Sequence, residues 1–142
     1  MDPDAVERKL AAIMFTDIVG YTALMAESEE QGLRARDRHR ALVRPLVEEH
    51  HGESIEARGD ESLSVFPTVL DAVNCALAID EALGDGRELK LHIGIHIGEF
   101  VVREGEISGD GVNIAARVCA LSAGDGPYVS DEVHHAVQNQ TN

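Results

Sequence analysis

The stretch Leu10-Ala11-Ala12-Ile13-Met14-Phe15-Thr16-Asp17-Ile18-Val19-Gly20-Tyr21-Thr22 joins a strand to the start of a helix. The apolar run over residues 10–15 predicts a buried strand. Asp17 follows where that strand ends, before Gly20 and a helix expected to begin at Thr22. A carboxylate there suits a hard cation, and the free N–H groups of a helix start suit phosphate oxygens. The alternative is an Asp that only ends the strand and caps a turn.

The composition restricts the class of protein. A chain of 142 residues predicts one domain with a real core; we expect a flexible N-terminus at 1–8 and the domain at 9–142. The net charge of -14 argues against nucleic-acid and anionic-membrane binding. A nucleotide substrate stays compatible with it, because bound divalent cations supply local positive charge.

The sequence also indicates a compartment. No apolar run approaches the ~20 residues of a membrane span, and no signal peptide precedes the domain. We therefore expect a cytoplasmic protein, although a domain cut from a membrane protein would look the same. Cys75 and Cys119 lie in helical patterns and are interpreted as buried free thiols.

The first half of the chain predicts a helix, a hairpin and a second helix. Helical spacing runs from Thr22 to His51, with Pro45 inside it and Gly52 as a glycine C-cap. Short strands at 53–58 and 61–66 flank a turn at Gly59-Asp60. The next helix begins at Pro67-Thr68, capped by Thr68 and Asp71, and closes at 84–86. A basic cluster on the first helix is interpreted as a solvated face, with a partner site as the alternative: Arg34, Arg36, Arg38 and Arg40.

The second half contains the clearest strand, residues 89–98, with apolar residues at every odd position. Its other face carries Gly94 and Gly98, which leave room for a backbone or a ligand. His92 and His96 share that face about 13 Å apart, too far for one metal, and are interpreted as structural or surface histidines. Residues 99–103 are expected to pair back as another strand. A helix at 109–123, a strand at 128–129 and a helix capped by Ser130 follow.

The predicted order is therefore β-α-β-β-α-β-β-α-β-α. It indicates an α/β (α+β) sandwich of the ferredoxin-like type. We expect a mixed, mainly antiparallel sheet with helices on one face.

Four stretches carry a resemblance to a known family. Residues 15–22 resemble the first metal-binding motif of the class III nucleotidyl (adenylate/guanylate) cyclase catalytic domain, bacterial type. Gly59-Asp60 lies where that family places its second metal-binding Asp, and residues 91–99 match its central strand. Residues 109–117, Gly-Asp-Gly-Val-Asn-Ile-Ala-Ala-Arg, resemble its catalytic helix. The resemblance covers residues 9 to about 135.

The resemblance implies roles for the metal site. Asp17, Asp60 and the carbonyl of Ile18 would hold two Mg²⁺ or Mn²⁺ ions per active site, as two-metal phosphoryl chemistry requires. The turn and helix start would face the triphosphate of ATP, with GTP as the alternative, through these substrate-binding residues: Val19, Gly20, Tyr21 and Thr22.

The resemblance also implies a catalytic pair and an assembly. Asn113 would position the ribose, and Arg117 would meet charge on the α-phosphate. Because they lie four apart on a helix, they share one face. The family carries its metal pair and its Asn/Arg pair on opposite subunits, which implies a homodimer with two interfacial active sites.

Two departures leave alternatives open. Glu56 stands where adenylate cyclases carry the Lys that selects adenine, which favours GTP. Glu106 stands at the second base-selecting position, where an acceptor favours ATP. The alternative is that both acids are solvated on a rim and select nothing. The family's C-terminal hairpin, with its phosphate-binding Lys or Arg, is lacking. Three alternatives therefore stay open. The chain is a cyclase of relaxed specificity, or a weakly active or non-catalytic regulatory homologue, or a diguanylate cyclase, which residues 58–62 faintly suggest.

Overall fold

The computed structural model describes residues 6–84, 88–104 and 106–138, except for the side chains of Glu56 and Ala57. Its elements, in chain order, are β1 (Glu7–Ile18), α1 (Tyr21–Glu27), α2 (Glu29–Glu49), β2 (Glu53–Arg58), β3 (Glu61–Phe66), α3 (Val69–Leu83), β4 (Leu91–Arg103), β5 (Glu106–Ser108), α4 (Asp110–Leu121), β6 (Tyr128–Val129) and α5 (Asp131–Val137).

One sheet carries these elements, with the strand order β2-β3-β1-β4-β5 and β6 beside β4. The pairings along the main path are antiparallel, and β6 pairs with β4 in parallel. The central pair runs from Glu7 opposite Val102 to Ile18 opposite Leu91. The ferredoxin-like, mainly antiparallel sheet is therefore confirmed.

Helices cover both faces of this sheet, whereas we expected them on one. On the first face, α2, α3 and α5 close over a large core that includes Met14, Val47 and Ile95. On the second face, α4 packs Val112 and Ala115 into a smaller cluster with Ile13, Leu63 and Phe100. The central strand β1 is thus apolar on both sides, which explains its unbroken apolar run.

Two glycines of β4 explain why α4 fits on the second face. A Cβ built on Gly94 would overlap the backbone N of Cys119, and one built on Gly98 would lie 3.0 Å from the Cα of Gly111. The helix therefore rests on the strand backbone against backbone. The room that these glycines were predicted to leave is filled by α4.

Several predicted boundaries are confirmed. The hairpin strands have the expected bounds, and Gly59 has a positive φ of 54° in the turn between them. Thr68 accepts a hydrogen bond from the N–H of Asp71, at 3.0 Å. Ser130 accepts one from the N–H of Val133 and caps α5. Short-range capping chemistry therefore set these element ends.

Other boundaries were wrong. The helix expected from Thr22 to His51 is two helices, because Ser28 is extended and caps α2 through the N–H of Gln31. Residues 99–103 do not form a separate strand but continue β4. The first strand begins at Glu7, two residues earlier than expected.

The end of α2 also differs from the prediction. His51 has the positive φ of 67° that we assigned to Gly52. Gly52 is needed for packing instead, since a Cβ there would lie 2.5 Å from the ring of Phe66. Gly52 closes the helix by donating its N–H to the carbonyl of Val47.

The thiols of Cys75 and Cys119 are free and buried, as predicted. Burial raises the pKa of Cys75 to about 12 and that of Cys119 further still, so both stay protonated and inert. Among the helices that the structure describes, none combines the length and apolar character needed to cross a bilayer.

Candidate active site

The two predicted metal carboxylates meet at one edge of the sheet. Asp17 lies near the end of β1, and Asp60 lies in the turn between β2 and β3. Because β3 pairs with β1, this turn folds beside the end of β1, where the N–H of Ile18 donates to Oδ2 of Asp60 at 3.1 Å. The structure therefore brings together Asp17, Ile18 and Asp60.

Asp17 carries an unsatisfied charge. Its Oδ1 is buried and has no hydrogen-bond partner within the part of the chain that the structure describes. Burial raises the pKa of Asp17 to about 6; His92 opposes this, with Nε2 3.8 Å from Oδ1, while Asp60 and Glu61 add to it. A buried carboxylate oxygen without a donor costs free energy unless a cation binds it.

These residues fit a divalent cation. Two carboxylates and a main-chain carbonyl are oxygen ligands of the type that Mg²⁺ and Mn²⁺ take. Ile18 has a side chain only 5% exposed, so the carbonyl is what it offers. In residues 6–84, 88–104 and 106–138, no three His, Cys, Asp or Glu side chains gather as a metal cluster. Two side chains and a main-chain oxygen leave the remaining positions for water and substrate.

The turn after β1 presents backbone to the same edge. Gly20 has a φ of 74° and precedes α1, which begins at Tyr21 rather than Thr22. Val19 donates its N–H to the carbonyl of Lys90 at 2.9 Å, so that group is not available to a phosphate. Tyr21 packs against the first core, whereas Gly20 and Thr22 are exposed.

Asn113 and Arg117 lie on the outer side of α4. Both are exposed, while Val112 and Ala115 between them point to the sheet. Among the described residues, their side chains make no hydrogen bond and no ion pair. The structure therefore places them on one face, as predicted, but does not join them to Asp17 or Asp60.

Glu106 lies at the other end of the sheet from Asp17. It pairs with Arg103, and the neighbouring Val102 pairs with Glu7. Ten steps of about 3.3 Å along β1 separate Glu7 from Asp17, about 33 Å in all. Within one chain, Glu106 and Asp17 cannot contact the same nucleotide.

The side chain of Glu56 lies outside the part of the chain that the structure describes. Its backbone pairs with Leu63, just after a register shift between Ser54 and Glu56. Leu63 in turn pairs with Phe15. The backbone of Glu56 is therefore at the Asp17 end of the sheet, two strands away from β1.

Sequence reasoning missed His92 as a neighbour of the site. Its Nδ1 contacts the carbonyl of Ser122, which turns Nε2 towards Asp17. We interpreted it as structural because the pairing of β1 with β4 was unknown; that register sets Asp17 opposite His92. The signal in the sequence was its place on the glycine face of β4.

A buried polar group behind the two carboxylates was also missed. Oγ1 of Thr16 lies 2.7 Å from Nε2 of His39 and 2.5 Å from Oγ of Ser62. His39 is fully buried, and burial lowers its pKa to about 4, so its ring is neutral at pH 7. The i, i+4, i+8 spacing of His39 with Val43 and Val47 could have indicated its burial.

The fold and the paired carboxylates define a class of protein that binds cations and phosphates at the end of a ferredoxin-like sheet. Residues 5–142 match the family described as Adenylate and Guanylate cyclase catalytic domain. The chain belongs to this family, whose members are phosphorus–oxygen lyases.

Individual relatives agree with this assignment. The putative adenylate cyclase 3 of Rhizobium meliloti is 34% identical over 99% of this chain and 25% of its own length. The adenylate cyclase of Streptomyces coelicolor is 29% identical over 90% of this chain and 34% of its own. The chain thus spans about a quarter to a third of the length of these relatives.

A solved structure agrees as well. The adenylate/guanylate cyclase/hydrolase from Silicibacter pomeroyi is 35% identical and superposes with a TM-score of 0.86. The match covers 97% of this chain and 85% of that one. The similarity therefore extends over the whole fold, including both ends of β1.

Proposed function

We propose that this chain converts ATP to 3′,5′-cyclic AMP and pyrophosphate through attack of the ribose 3′-oxygen on the α-phosphate. The observation that carries the proposal is the buried oxygen of Asp17, which accepts no hydrogen bond from a described residue, beside Asp60 at adjacent strand ends. A carboxylate kept in that state without a cation weakens the fold. A bound cation would remove this cost, and we therefore infer that Asp17 and Asp60 form a cation site.

The residues of this edge divide the work. Asp17, Asp60 and the carbonyl of Ile18 would hold the Mg²⁺ or Mn²⁺ ions, two per active site. Bound there, such ions would lower the pKa of the ribose hydroxyl and neutralise phosphate charge. The turn at Gly20 and the start of α1 face the triphosphate with main-chain N–H groups, other than that of Val19.

The outer face of α4 supplies the second half of the site. Arg117 donates to the α-phosphate oxygens as charge builds on them during attack. Asn113 orients the ribose so that its 3′-oxygen lies in line with the bond that breaks. Their exposure suits groups that contact substrate rather than the core of their own chain.

A second copy of the chain completes the active site. Asp17 and Glu106 lie about 33 Å apart along the sheet. A twofold axis places the Asp17 end of one copy against the α4 face and Glu106 of its partner, and repeats this at a second site. We therefore propose a homodimer with two interfacial active sites.

The choice between ATP and GTP depends on two acids. An ionised Glu106 accepts from the adenine amino group, whereas it would oppose the guanine carbonyl. An ionised Glu56 favours guanine, whose N1 and N2 donate. The named adenylate cyclases among the relatives favour ATP, and Glu56 keeps GTP use or relaxed specificity as the second candidate. A non-catalytic regulatory role is the third, since Glu56 replaces a base-selecting Lys.

The deciding experiment measures cyclic product from ATP and from GTP in parallel, with Mn²⁺ and high protein concentration. Product from ATP in excess supports the proposal, and product from GTP in excess replaces it by the second candidate. A folded dimer that makes neither product contradicts catalysis and supports the regulatory role.

Mixing two inactive variants tests the shared site. Asp17→Ala and Arg117→Ala each damage both sites of a homodimer. In an equal mixture, half of the dimers are mixed, and each has one intact site. Activity should therefore return to about a quarter of the wild-type value. A mixture that exchanges subunits yet stays inactive would place both halves of the site in one chain.

Replacing one acid tests base selection. Glu56→Lys should raise ATP turnover relative to GTP by about 5- to 150-fold, because a mismatched buried hydrogen bond costs about 1–3 kcal/mol. Glu53→Lys, on the same strand, is the matched control for the change of charge. An unchanged ratio in Glu56→Lys would mean that this side chain does not contact the base.

A further inference from the structure

A small cavity lies between α2 and the β2–β3 hairpin, on the face of the sheet opposite α4. Its volume is about 70 Å³, and its polar lining consists of His39, Arg40, Arg44, Ser54 and Ser62. A water molecule needs about 10–15 Å³ on this measure. The cavity therefore has room for about five atoms of that size.

The lining has donors without acceptors. Nδ1 of His39 and Nε of Arg40 are buried and have no partner among the residues that the structure describes. His39 is 0% exposed, so water at the surface cannot satisfy it. Arg44 also makes no ion pair or hydrogen bond with a described residue. An arginine nitrogen only donates, so Nε of Arg40 is a buried donor that requires an acceptor, and the exposed Arg44 adds a second positive charge at the rim.

The direction of the hydrogen bonds of Thr16 determines whether Nδ1 of His39 is a donor or an acceptor. Oγ1 of Thr16 contacts both Nε2 of His39 and Oγ of Ser62. If Ser62 donates to Thr16 and Thr16 donates to Nε2, the ring carries its proton on Nδ1. The free Nδ1 is then a second buried donor beside Nε of Arg40. In this arrangement the hydroxyl hydrogens of Ser62 and Thr16 are both used, and the Nδ1 hydrogen of His39 is left without an acceptor.

We propose that this cavity binds a small oxyanion, of the size of phosphate. Four or five heavy atoms match the volume, and the described lining contains two guanidinium groups and no carboxylate. Charge-assisted N–H to oxygen bonds are the strongest that these donors can make. The anion would border the metal edge, because Arg40 also donates to the carbonyl of Gly59, next to Asp60, at 3.2 Å.

This site is distinct from the proposed active site. Thr16 and Ser62 turn to the α2 face of the sheet, whereas Asp17 turns to the α4 face, because neighbouring residues of a strand alternate. The proposal does not rest on catalysis, and it can be tested without nucleotide or metal.

The test titrates inorganic phosphate into the ¹⁵N-labelled chain with EDTA, at pH 7 and constant ionic strength. We expect saturable shifts of the His39 ring nitrogens and of the Ser54 and Ser62 amides, with a Kd on the order of 1 mM. Arg44→Gln, an exposed position that leaves the core intact, should weaken binding at least about tenfold.

Matched variants separate this site from others. Arg34→Gln removes the same charge from the same helix, where Arg34 pairs with Glu30 at 2.7 Å, and should leave the Kd unchanged. Asp17→Asn should also leave it unchanged. A second cavity variant, Ser54→Val, should abolish the shifts. The absence of saturable shifts, an equal loss in Arg34→Gln, or a loss in Asp17→Asn would each overturn the proposal; the cavity would then hold water or nonspecific ions only.

Discussion

The two halves of the candidate site differ in how the chain holds them. Asp17 and Asp60 are half-buried, and the N–H of Ile18 ties their strand ends together. Asn113 and Arg117 are exposed, and their side chains contact no described group by hydrogen bond or ion pair. Asp17 and Asp60 therefore form a built half, which hydrogen bonding and burial hold within the fold. Asn113 and Arg117 form a displayed half, whose side chains project from the surface of α4. Substitutions in either half should reduce activity without a loss of stability, and only a substitution in the half that contains Asp17 should be able to raise the stability of the metal-free chain.

The largest effect should come from the built half. Asp17→Ala should reduce cyclic-nucleotide formation at least about 10³-fold, because the cation loses its main ligand. The metal-free variant should be as stable as the wild type or more so, since the variant removes a buried carboxylate oxygen that has no hydrogen bond from a described residue and loses only the 3.8 Å contact with His92. Product assays and urea unfolding in EDTA measure both. Asp37→Ala, an exposed acid on α2, is the control; full activity in Asp17→Ala would remove the two-metal mechanism.

The displayed half should behave differently. Arg117→Ala should lower kcat about 10²- to 10³-fold, since a donor to developing charge is lost. The free energy of unfolding should change by less than about 0.5 kcal/mol, because the side chain is exposed and pairs with none of the described residues. Arg34→Ala provides an exposed arginine of the same chain for comparison. A large loss of stability in Arg117→Ala would mean that this residue supports the fold.

The next test concerns the packing of α4, the helix that carries the displayed half, against the sheet. Gly94→Ala should destabilise the chain by about 3 kcal/mol, the upper range for overpacking, because its methyl group would overlap the backbone of Cys119. Gly98→Ala, with 3.0 Å to the nearest backbone atom, should cost less. Thermal or chemical unfolding of both variants measures the difference. Equal costs would contradict the close approach of α4 at Gly94.

The smallest effect is the pH dependence of the free energy of unfolding that His39 causes. Burial lowers the pKa of His39 to about 4 from an ordinary value of 6.5. The folded chain thus binds fewer protons than the unfolded chain between these values, so stability is complete above pH 6.5 and falls as pH drops towards 4. Between pH 7.5 and pH 5 the wild type should lose about 2 kcal/mol more than His39→Gln. Identical pH dependence in urea unfolding would show that folding does not shift the pKa of His39.

The parts of this structure that were predictable from sequence are those decided by short-range chemistry. The hairpin and the caps at Thr68 and Ser130 follow from turn and capping residues, and the first strand follows from its apolar run. Asp17 and Asp60 were predicted as site residues because they stand at strand and turn ends and because of the resemblance to a family, and the structure brings them to one edge of the sheet.

The parts that were missed depend on packing between distant segments. The strand β4 appeared to end at Gly98 because its apolar residues change from the odd positions, such as Ile95, to the even positions Phe100 and Val102. At Gly94 and Gly98 the backbone of α4 covers the second face of the sheet. Beyond them, side chains such as Phe100 and Val102 cover that face, and the change of position begins there. His92 was missed for the same reason, since its meeting with Asp17 is a matter of strand register.

The contact between Gly94 and the backbone of α4 has a consequence for how such a chain can diverge. Main-chain atoms set the position of the helix at that point, so its height above the sheet does not depend on a set of interlocking side chains there. The outward positions of α4 are then open to substitution without repacking the interior. The position of Gly94 is restricted to glycine, and in return the outward residues of α4, Asn113 and Arg117 among them, are constrained by what they contact outside the core and not by the packing beneath them.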